Sequence, residues 1–184
     1  MKKIEGYIPL EKLDIVCNSI ETAHGLPNEC YLGGDYSKFE RKYLFEDKWV
    51  VIGVASSIKN PGDAVPFNLL GIPLIILRDK DQSIRVFHNV CSHRGYKILQ
   101  KPCRIKNALR CPYHSWAYDL NGKLVSTPHL GGMDKNEAEG FNKSDSNLHE
   151  VRSYIWLDMI FVNISNNQIP FDEYIKPLED RWSQ

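Results

Sequence analysis

Four side chains that commonly bind metals lie in two short segments of this chain, and their order constrains what the fold must build. The first segment reads Cys91-Ser92-His93-Arg94-Gly95 and the second reads Cys111-Pro112-Tyr113-His114-Ser115-Trp116, with 17 residues between His93 and Cys111. Zinc accepts two Cys and two His, but its sites usually collect Cys in one knuckle and His in another. Here each segment mixes one Cys with one His. That order favours a two-iron cluster whose iron atoms have different ligands, and a zinc site stays open as the alternative.

The pattern C-x-H followed by C-P-x-H-x-W resembles the Rieske [2Fe-2S] family, because six residue types stand at that family's fixed offsets. By this resemblance, Cys91 and Cys111 are expected to bind the inner iron of a Rieske-type [2Fe-2S] cluster. His93 and His114 are expected to bind the outer iron. These four residues are the predicted metal ligands.

Five neighbours of the ligands are predicted to contact or surround the cofactor. Arg94 is either a docking cation or a partner in a loop salt bridge, and Gly95 is expected to permit a tight turn near a sulfide. Trp116 is expected to shield the cluster. The hydroxyl of Tyr118 is predicted either to donate to a ligand sulfur or to bond a backbone carbonyl. Tyr113, inside the second loop, completes the set.

Departures from the family pattern indicate which kind of Rieske protein this is. Members that serve cytochrome bc complexes carry a disulfide between the two loops, and Tyr96 and Tyr113 occupy the corresponding positions here. Those members also have a Ser that hydrogen-bonds the cluster, where this chain has Trp116. Fewer hydrogen bonds to sulfur predict a reduction potential near the low end of the Rieske range of about −150 to +300 mV. Ser115 replaces the usual Gly of the family.

Composition excludes several functional classes. The chain has 184 residues with 23 basic and 23 acidic side chains, so its formal net charge is zero, and it has no Lys/Arg-rich run. This balance argues against a nucleic-acid partner. The first seven residues lack the apolar stretch of about 7–15 residues that a secretory signal needs, and we expect a cytoplasmic protein without a membrane segment. The three remaining cysteines, Cys17, Cys30 and Cys103, are expected to be free thiols.

The order of elements predicts a mostly β protein with N-terminal helices. Apolar spacing predicts one helix over residues 10–23 and a second over 37–45, capped by Asp35 or Ser37. Strands are predicted at 49–54, 74–78, 84–88, 108–110, 116–119, 123–125, 148–152, 155–157 and 160–163. Asn121-Gly122 predicts a type I′ hairpin turn, and residues 131–147 an exposed polar excursion. The fold class is therefore a Rieske-type antiparallel β-sandwich or barrel with a small cluster-binding subdomain.

We expect three regions, which are a helical extension over 1–44, a Rieske domain over 45–166 and a C-terminal helix or linker over 167–184. From residue 26 to about residue 178, the chain resembles the N-terminal part of Rieske non-haem iron oxygenase α subunits, including the Phe87-His88-Asn89-Val90 run. The resemblance implies that a catalytic domain with mononuclear non-haem Fe(II) would follow, and that domain is missing here. An oxidoreductase role comes by resemblance alone, and no catalytic residue is assigned.

The implied partners are an NAD(P)H-dependent reductase or a ferredoxin as electron donor and a mononuclear-iron domain, of a neighbouring subunit in a trimer, as acceptor. A stand-alone Rieske electron carrier is the second interpretation. A zinc-stabilised interaction module without redox activity is the third.

Overall fold

The computed structural model describes residues 7, 8 and 10–183, and antiparallel β-strands dominate this part of the chain. Its strands are β1 (Val50–Val54), β2 (Asp63–Leu69), β3 (Ile72–Arg78), β4 (Ile84–His88), β5 (Cys103–Arg104), β6 (Leu109–Arg110), β7 (Ala117–Tyr118), β8 (Leu124–Ser126), β9 (Glu150–Trp156) and β10 (Met159–Asn163). Its α-helices are α1 (Leu10–Asp14), α2 (Glu29–Leu32), α3 (Gly34–Glu40) and α4 (Phe171–Trp182). Short 3₁₀ segments lie at Ile15–Cys17, Ala55–Ser57 and Lys143–Ser146, and a π-helical turn lies at Arg41–Glu46.

Within the described residues, seven strands form one curled antiparallel sheet in the order β1-β10-β9-β4-β3-β2-β5, and β6-β7-β8 form a small second sheet. The large sheet curls into a half-barrel, so the predicted fold class is confirmed. The predicted hairpin of β3 and β4 is confirmed too, with Ile76 opposite Val86. None of the described helices combines the length and the apolar character that a bilayer crossing requires.

Strand β3 is buried on both faces, which explains its uninterrupted apolar run. Ile75 and Leu77 pack into the core that also contains Cys91 and Cys111. Leu74 and Ile76 point to the opposite face and pack inside the half-barrel. A strand covered on both sides can be apolar at every position. This strand therefore separates the core of the half-barrel from the core that supports the two Cys/His loops.

Helix α4 closes a third, aromatic cluster against the end of the sheet. Phe171 lies 5.2 Å from Trp49 and 4.7 Å from Phe161 between ring centroids, and it is 3% exposed. Ile175 on the next turn is buried in the same cluster. The spacing of four residues places both side chains on one face of the helix.

The helices at the N-terminus differ from the prediction. Helix α1 with its 3₁₀ extension ends at Cys17 instead of Ala23, and residues 1–6 and 9 of the predicted extension lie outside the described residues. Ile20, one of the apolar positions whose spacing predicts the longer helix, is 90% exposed. Cys17 is exposed as well, so burial of an apolar face does not support a longer helix here. The second helix begins at Gly34, with Gly33 at its N-cap and no side-chain cap, so the predicted Asp35 or Ser37 cap is wrong.

The turn at Asn121-Gly122 forms, but its type differs from the prediction. A type I′ turn needs positive φ at both central residues, and only Gly122, with φ +76°, has it. The N–H of Gly122 donates to Asp119 O at 3.1 Å, and the N–H of Asp119 donates to Lys123 O at 2.9 Å. This pattern is a type I turn followed by one left-handed residue. A separate register shift between β7 and β8 lies at Ala117 and Tyr118. A Cβ on Gly122 would lie 2.5 Å from the Phe87 ring, so glycine is required here.

Candidate metal centre

The two Cys/His loops have the same backbone hydrogen bonds. In the first loop, the N–H of Cys91 donates to Tyr96 O at 2.8 Å and the N–H of Gly95 donates to Cys91 O at 2.9 Å. In the second loop, the N–H of Cys111 donates to Trp116 O at 2.8 Å, and that of Ser115 donates to Cys111 O at 3.0 Å. Each cysteine thus closes a turn with the residues four and five positions later. The equivalent turns place one thiol and one imidazole of each loop in comparable positions.

The fourth position after each cysteine takes a left-handed conformation. Gly95 has φ +69° and Ser115 has φ +60°. Glycine adopts this region without steric cost, whereas a residue with a Cβ does not. The predicted tight turn at Gly95 is therefore present. In the second loop, Arg110 Nη1 donates to the carbonyl of Ser115 at 3.0 Å. This hydrogen bond helps to hold Ser115 in its left-handed conformation.

The two thiols lie in the interior of the core that supports the two Cys/His loops, called the cluster-loop core below. Cys91 and Cys111 are each 2% exposed. Burial raises the pKa of the Cys111 thiol, and the backbone N–H groups of Tyr113 and His114 act in the opposite direction by hydrogen-bonding its sulfur. Backbone donors aimed at a sulfur stabilise negative charge on it. Both features suit a thiolate that is neutralised by a bound metal.

The two imidazoles lie beside each other on the outer side of the site. The ring centroids of His93 and His114 are 4.8 Å apart. His93 stacks on Trp116 with centroids 4.6 Å apart and planes 8° from parallel. Burial, followed by the proximity of His114 and Arg94, lowers the pKa of His93. Its Nδ1 atom is buried without a hydrogen-bond partner. A buried ring nitrogen without a partner is unfavourable unless it binds something else, so it fits a metal ligand.

Aromatic side chains surround the imidazoles. Trp116 is 3% exposed and meets Phe141 edge to face at 5.7 Å, so it separates His93 from the polar excursion. Tyr113 covers His114 with centroids 3.7 Å apart and also contacts Tyr96 at 5.4 Å. The two tyrosines that stand at the disulfide positions of the bc-type proteins therefore face each other. Tyr113 is 53% exposed, so this side of the site stays accessible.

Tyr118 lies under the first loop and contacts the sulfur of Cys91, a predicted ligand. Its hydroxyl is 3.2 Å from Cys91 Sγ, 2.8 Å from Ser92 Oγ and 3.2 Å from the Ser92 N–H nitrogen, which donates to it. Burial raises the pKa of Tyr118 above its usual value, so the phenol keeps its proton at neutral pH. Of the two predicted neighbours of this hydroxyl, the structure places the Cys91 sulfur beside it, and Ser92 Oγ lies closer still.

Several residues that shape the site were missed by the sequence analysis. Asn89 is fully buried, and its Oδ1 accepts the N–H groups of Ile98 and Leu99 while its Nδ2 donates to Leu99 O. These bonds fix the chain on both sides of the first loop. Ser92 has a second contact, to Ser146 O. An Asn two residues before Cys91 was a usable signal in the sequence, whereas no local pattern predicts the contact with Ser146.

Arg94 borders the imidazole pair, whereas Cys103, which is predicted to be a free thiol, lies away from both loops. Arg94 is exposed, and no ion pair involves it in the described part of the chain. It lines an open depression of about 540 Å³ together with both imidazoles and His129. Cys103 is exposed on β5, opposite Ala64, and belongs to neither loop.

The donor geometry distinguishes the two kinds of metal centre. Among residues 7, 8 and 10–183, no three His, Cys, Asp or Glu side chains converge so that they could hold one ion. A tetrahedral zinc site needs four donors around one point. A two-iron cluster needs only a pair of donors for each iron, with a thiolate pair and an imidazole pair. The buried thiols and the adjacent imidazoles fit the second arrangement.

Two such loops on a half-barrel define the class of proteins that hold an iron–sulfur cluster between a thiolate pair and an imidazole pair. Residues 48–145 match the family described as the Rieske [2Fe-2S] domain. The chain belongs to this family. Membership implies a [2Fe-2S] cluster.

Similar proteins are oxygenase subunits. The chain is 26% identical over 176 residues to the carnitine monooxygenase oxygenase subunit of Acinetobacter pittii (strain PHEA-2). This match covers 95% of the chain and 46% of that protein. It is 32% identical over 158 residues to the benzene 1,2-dioxygenase subunit alpha of Pseudomonas putida, and this match covers 84% of the chain and 34% of that protein. The structure of naphthalene 1,2-dioxygenase from a Rhodococcus species bound to indole matches with a TM-score of 0.78 and 27% identity. This match covers 90% of the chain and 36% of that structure's chain. The chain thus spans less than half the length of these relatives and is homologous to their N-terminal part.

Proposed function

We propose that this chain transfers single electrons through a Rieske [2Fe-2S] cluster as the electron-transfer part of a non-haem iron oxygenase. The observation that carries the proposal is the pairing of two buried thiols with two adjacent imidazoles, one of which has a buried nitrogen without a partner. In this proposal, Cys91 and Cys111 bind the inner iron, and His93 and His114 bind the outer one. Residues 45–166 form the functional domain, between a helical extension and a C-terminal segment.

The chain's own residues bind the cluster and control access to it. The bound cluster supplies a one-electron couple. Cys91 and Cys111 hold the charge of their thiolates away from water, and Trp116 with Phe141 excludes solvent from one side of the imidazole pair. His93 and His114 line the open depression, where a partner can approach. Electron transfer needs this proximity and a suitable potential more than bond-making groups.

The partners follow from the same proposal. A reductase that uses NAD(P)H, or a ferredoxin, would donate the electron at the depression. A mononuclear Fe(II) in a catalytic domain, supplied by a neighbouring subunit of a trimer, would accept it. The relatives named above act on carnitine and on benzene, so quaternary ammonium compounds and aromatic compounds are both compatible substrates. Cytoplasmic location belongs to the proposal as well.

The first test is the content and the spectrum of the purified protein. We expect about two irons and two inorganic sulfides per chain, visible absorption, and an EPR signal after reduction with dithionite. His114→Ala and Cys91→Ser should abolish the signal. His129→Ala and Cys103→Ser are matched controls, because His129 lines the same depression and Cys103 is exposed, and neither is a proposed ligand. Both controls should keep the signal. A colourless protein with one zinc would overturn the proposal and leave a structural module.

A further inference from the structure

Three short contacts in a row lead from the sulfur of Cys91 to a backbone carbonyl. Cys91 Sγ lies 3.2 Å from the hydroxyl of Tyr118, that hydroxyl lies 2.8 Å from Ser92 Oγ, and Ser92 Oγ lies 2.5 Å from Ser146 O. Both ends of this row are pure acceptors when the sulfur is a metal-bound thiolate, because a carbonyl and a thiolate have no proton to give. Only the two hydroxyl groups in the middle can donate.

Two protons cannot serve three contacts. The tyrosine and the serine each carry one hydroxyl proton, so one contact of the three has no hydrogen bond. If Tyr118 donates to Cys91 and Ser92 donates to Tyr118, the contact between Ser92 and Ser146 has none. If Ser92 donates to Ser146 while Tyr118 donates to Cys91, the two hydroxyl oxygens face each other without a proton. If Ser92 donates to Ser146 and Tyr118 donates to Ser92, the sulfur has none.

The distances select among these three arrangements. Separations of 2.5 and 2.8 Å lie inside the range of O–H···O hydrogen bonds, about 2.5–3.0 Å, and two oxygens this close without a proton repel each other. Sulfur has a larger radius than oxygen, so at 3.2 Å the phenol oxygen and Cys91 Sγ are only slightly closer than van der Waals contact. This contact is the least compressed of the three and therefore loses its proton at the lowest cost. The Ser92 N–H donates to the same phenol oxygen and holds it in place without supplying a proton to the sulfur.

From this geometry we infer that Ser92, anchored on the Ser146 carbonyl, draws the hydroxyl proton of Tyr118 away from Cys91. Ser92 is then a positioning residue that acts on the cluster through Tyr118. The inference rests on the proposed electron-transfer function and deepens it. A ligand sulfur without this hydrogen bond stabilises the reduced, more negative cluster less, so the reduction potential is lower. The competing serine is thus a device for keeping the potential low although a tyrosine stands beside the sulfur.

The test compares reduction potentials in a double-mutant cycle of cluster-containing proteins at one pH. Ser92→Ala removes the competitor and frees the Tyr118 proton for Cys91, so we expect the potential to rise, on the order of a tenfold shift of the one-electron equilibrium, about 59 mV. Tyr118→Phe alone should change the potential little. In the Ser92→Ala background, Tyr118→Phe should remove most of the rise. Ser92→Thr keeps a hydroxyl and should keep the potential of the natural sequence.

The outcomes that overturn the inference differ from those that overturn the proposed function. If Tyr118→Phe lowers the potential equally in both backgrounds, Tyr118 already donates to Cys91 and Ser92 has no such role. If Ser92→Ala leaves the potential unchanged while iron content and EPR signal are intact, the inference is also wrong. Absence of iron and of any EPR signal in the unsubstituted protein would instead overturn the cluster itself. Equal urea midpoints of the variants would exclude a general loss of structure as the cause of a shift.

Discussion

Ser115 occupies the same place in the second loop that Gly95 occupies in the first, and it pays a conformational penalty there. Its φ of +60° lies in the left-handed region, which costs a residue with a Cβ about 1–2 kcal/mol. The N–H of Ser115 must stay within reach of Cys111 O, so the loop cannot relax without opening the turn. Arg110 holds the carbonyl of the same residue.

Ser115→Gly should therefore stabilise the domain. Glycine removes the steric cost in the folded state, but it also increases the conformational entropy of the unfolded chain, which lowers stability. The first effect is larger, so we expect a net increase of about 0.5–1 kcal/mol in the free energy of unfolding. Urea midpoints of the two cluster-containing proteins measure it. Ser153→Gly is the control, since Ser153 lies in strand β9 and glycine there should destabilise. A lower midpoint for Ser115→Gly would show that the serine hydroxyl contributes more than the backbone loses.

Asp63 shows a second residue-level effect, on the dependence of stability on pH. Arg104 and then the backbone N–H of Asn60 lower the pKa of Asp63 to about 2 from its ordinary 3.8. A lowered pKa in the folded state adds stability above the ordinary pKa, and this stability is lost as the pH falls from about 4 through about 2. Asp63→Asn should thus lower the melting temperature at pH 7, and the deficit should shrink at the acid end.

The control for Asp63 is Asp134→Asn, an exposed loop carboxylate outside the ion pairs found in the described residues. Its melting temperature should follow that of the unsubstituted protein at both pH values. A deficit for Asp63→Asn that stays constant with pH would mean that the amide disturbs the turn at Gly62 and that the charge has no part in it.

At the scale of single residues, the sequence indicated the four candidate ligands more readily than their surroundings. Cys91, His93, Cys111 and His114 stand at fixed offsets inside two loops, and the resemblance of this motif to the Rieske family was enough to propose them. The contact of Ser92 with Ser146 joins residues 54 positions apart. Short-range patterns carry no information about such a contact, because it depends on where the polar excursion folds back.

At the scale of elements, strand β2 shows why some prediction failed. The strand contains Pro66, which lacks an N–H and ordinarily argues against a strand, and the sequence analysis assigned none there. Pro66 lies opposite Ile75 of β3. On the other side of β2, strand β5 pairs only with Asp63 and Ala64. The β5 side of β2 is therefore open at Pro66, and an edge is where a strand tolerates proline.

Helix α4 supports the sheet through its aromatic cluster, and Phe171 is the centre of that contact. It stacks on Tyr154 at 4.4 Å in addition to its contacts with Trp49 and Phe161. Phe171→Ala should lower the free energy of unfolding by about 3–5 kcal/mol, since it removes a buried ring and leaves a cavity.

Urea unfolding followed by circular dichroism measures the effect of Phe171→Ala. Ile169→Ala, two residues earlier and 48% exposed, should change stability by no more than about 0.5 kcal/mol. Because the aromatic cluster is separate from the core around Cys91 and Cys111, the EPR spectrum should be the same in all three proteins. A loss below 1 kcal/mol for Phe171→Ala would mean that α4 is not part of the cooperative fold.

At the scale of the whole molecule, the pairing of distant strands was beyond the sequence. Hairpins such as β3 with β4 follow from neighbouring apolar runs, whereas β1 pairs with β10, where Val50 lies opposite Val162. β4 likewise pairs with β9 through Val86 and Val151. Alternating patterns fix which face of a strand is buried but not which distant strand lies beside it. The strand order of the half-barrel emerged only in the structure.

The whole molecule also gives the proposed centre two different sides, and this asymmetry predicts how its potential responds to pH. The thiols lie inside the cluster-loop core at 2% exposure, while the imidazoles line an open depression. Oxidation adds positive charge next to the imidazoles and makes their free ring N–H groups more acidic. Above the pKa of an imidazole in the oxidised protein, reduction should therefore be accompanied by uptake of a proton on that imidazole, and the potential should fall by about 59 mV per pH unit.

Potentiometric titrations between pH 6 and 10 measure this slope. His129→Ala should keep it, since His129 lies in the same depression without being a proposed ligand, and a flat profile would mean that neither imidazole exchanges its proton with solvent.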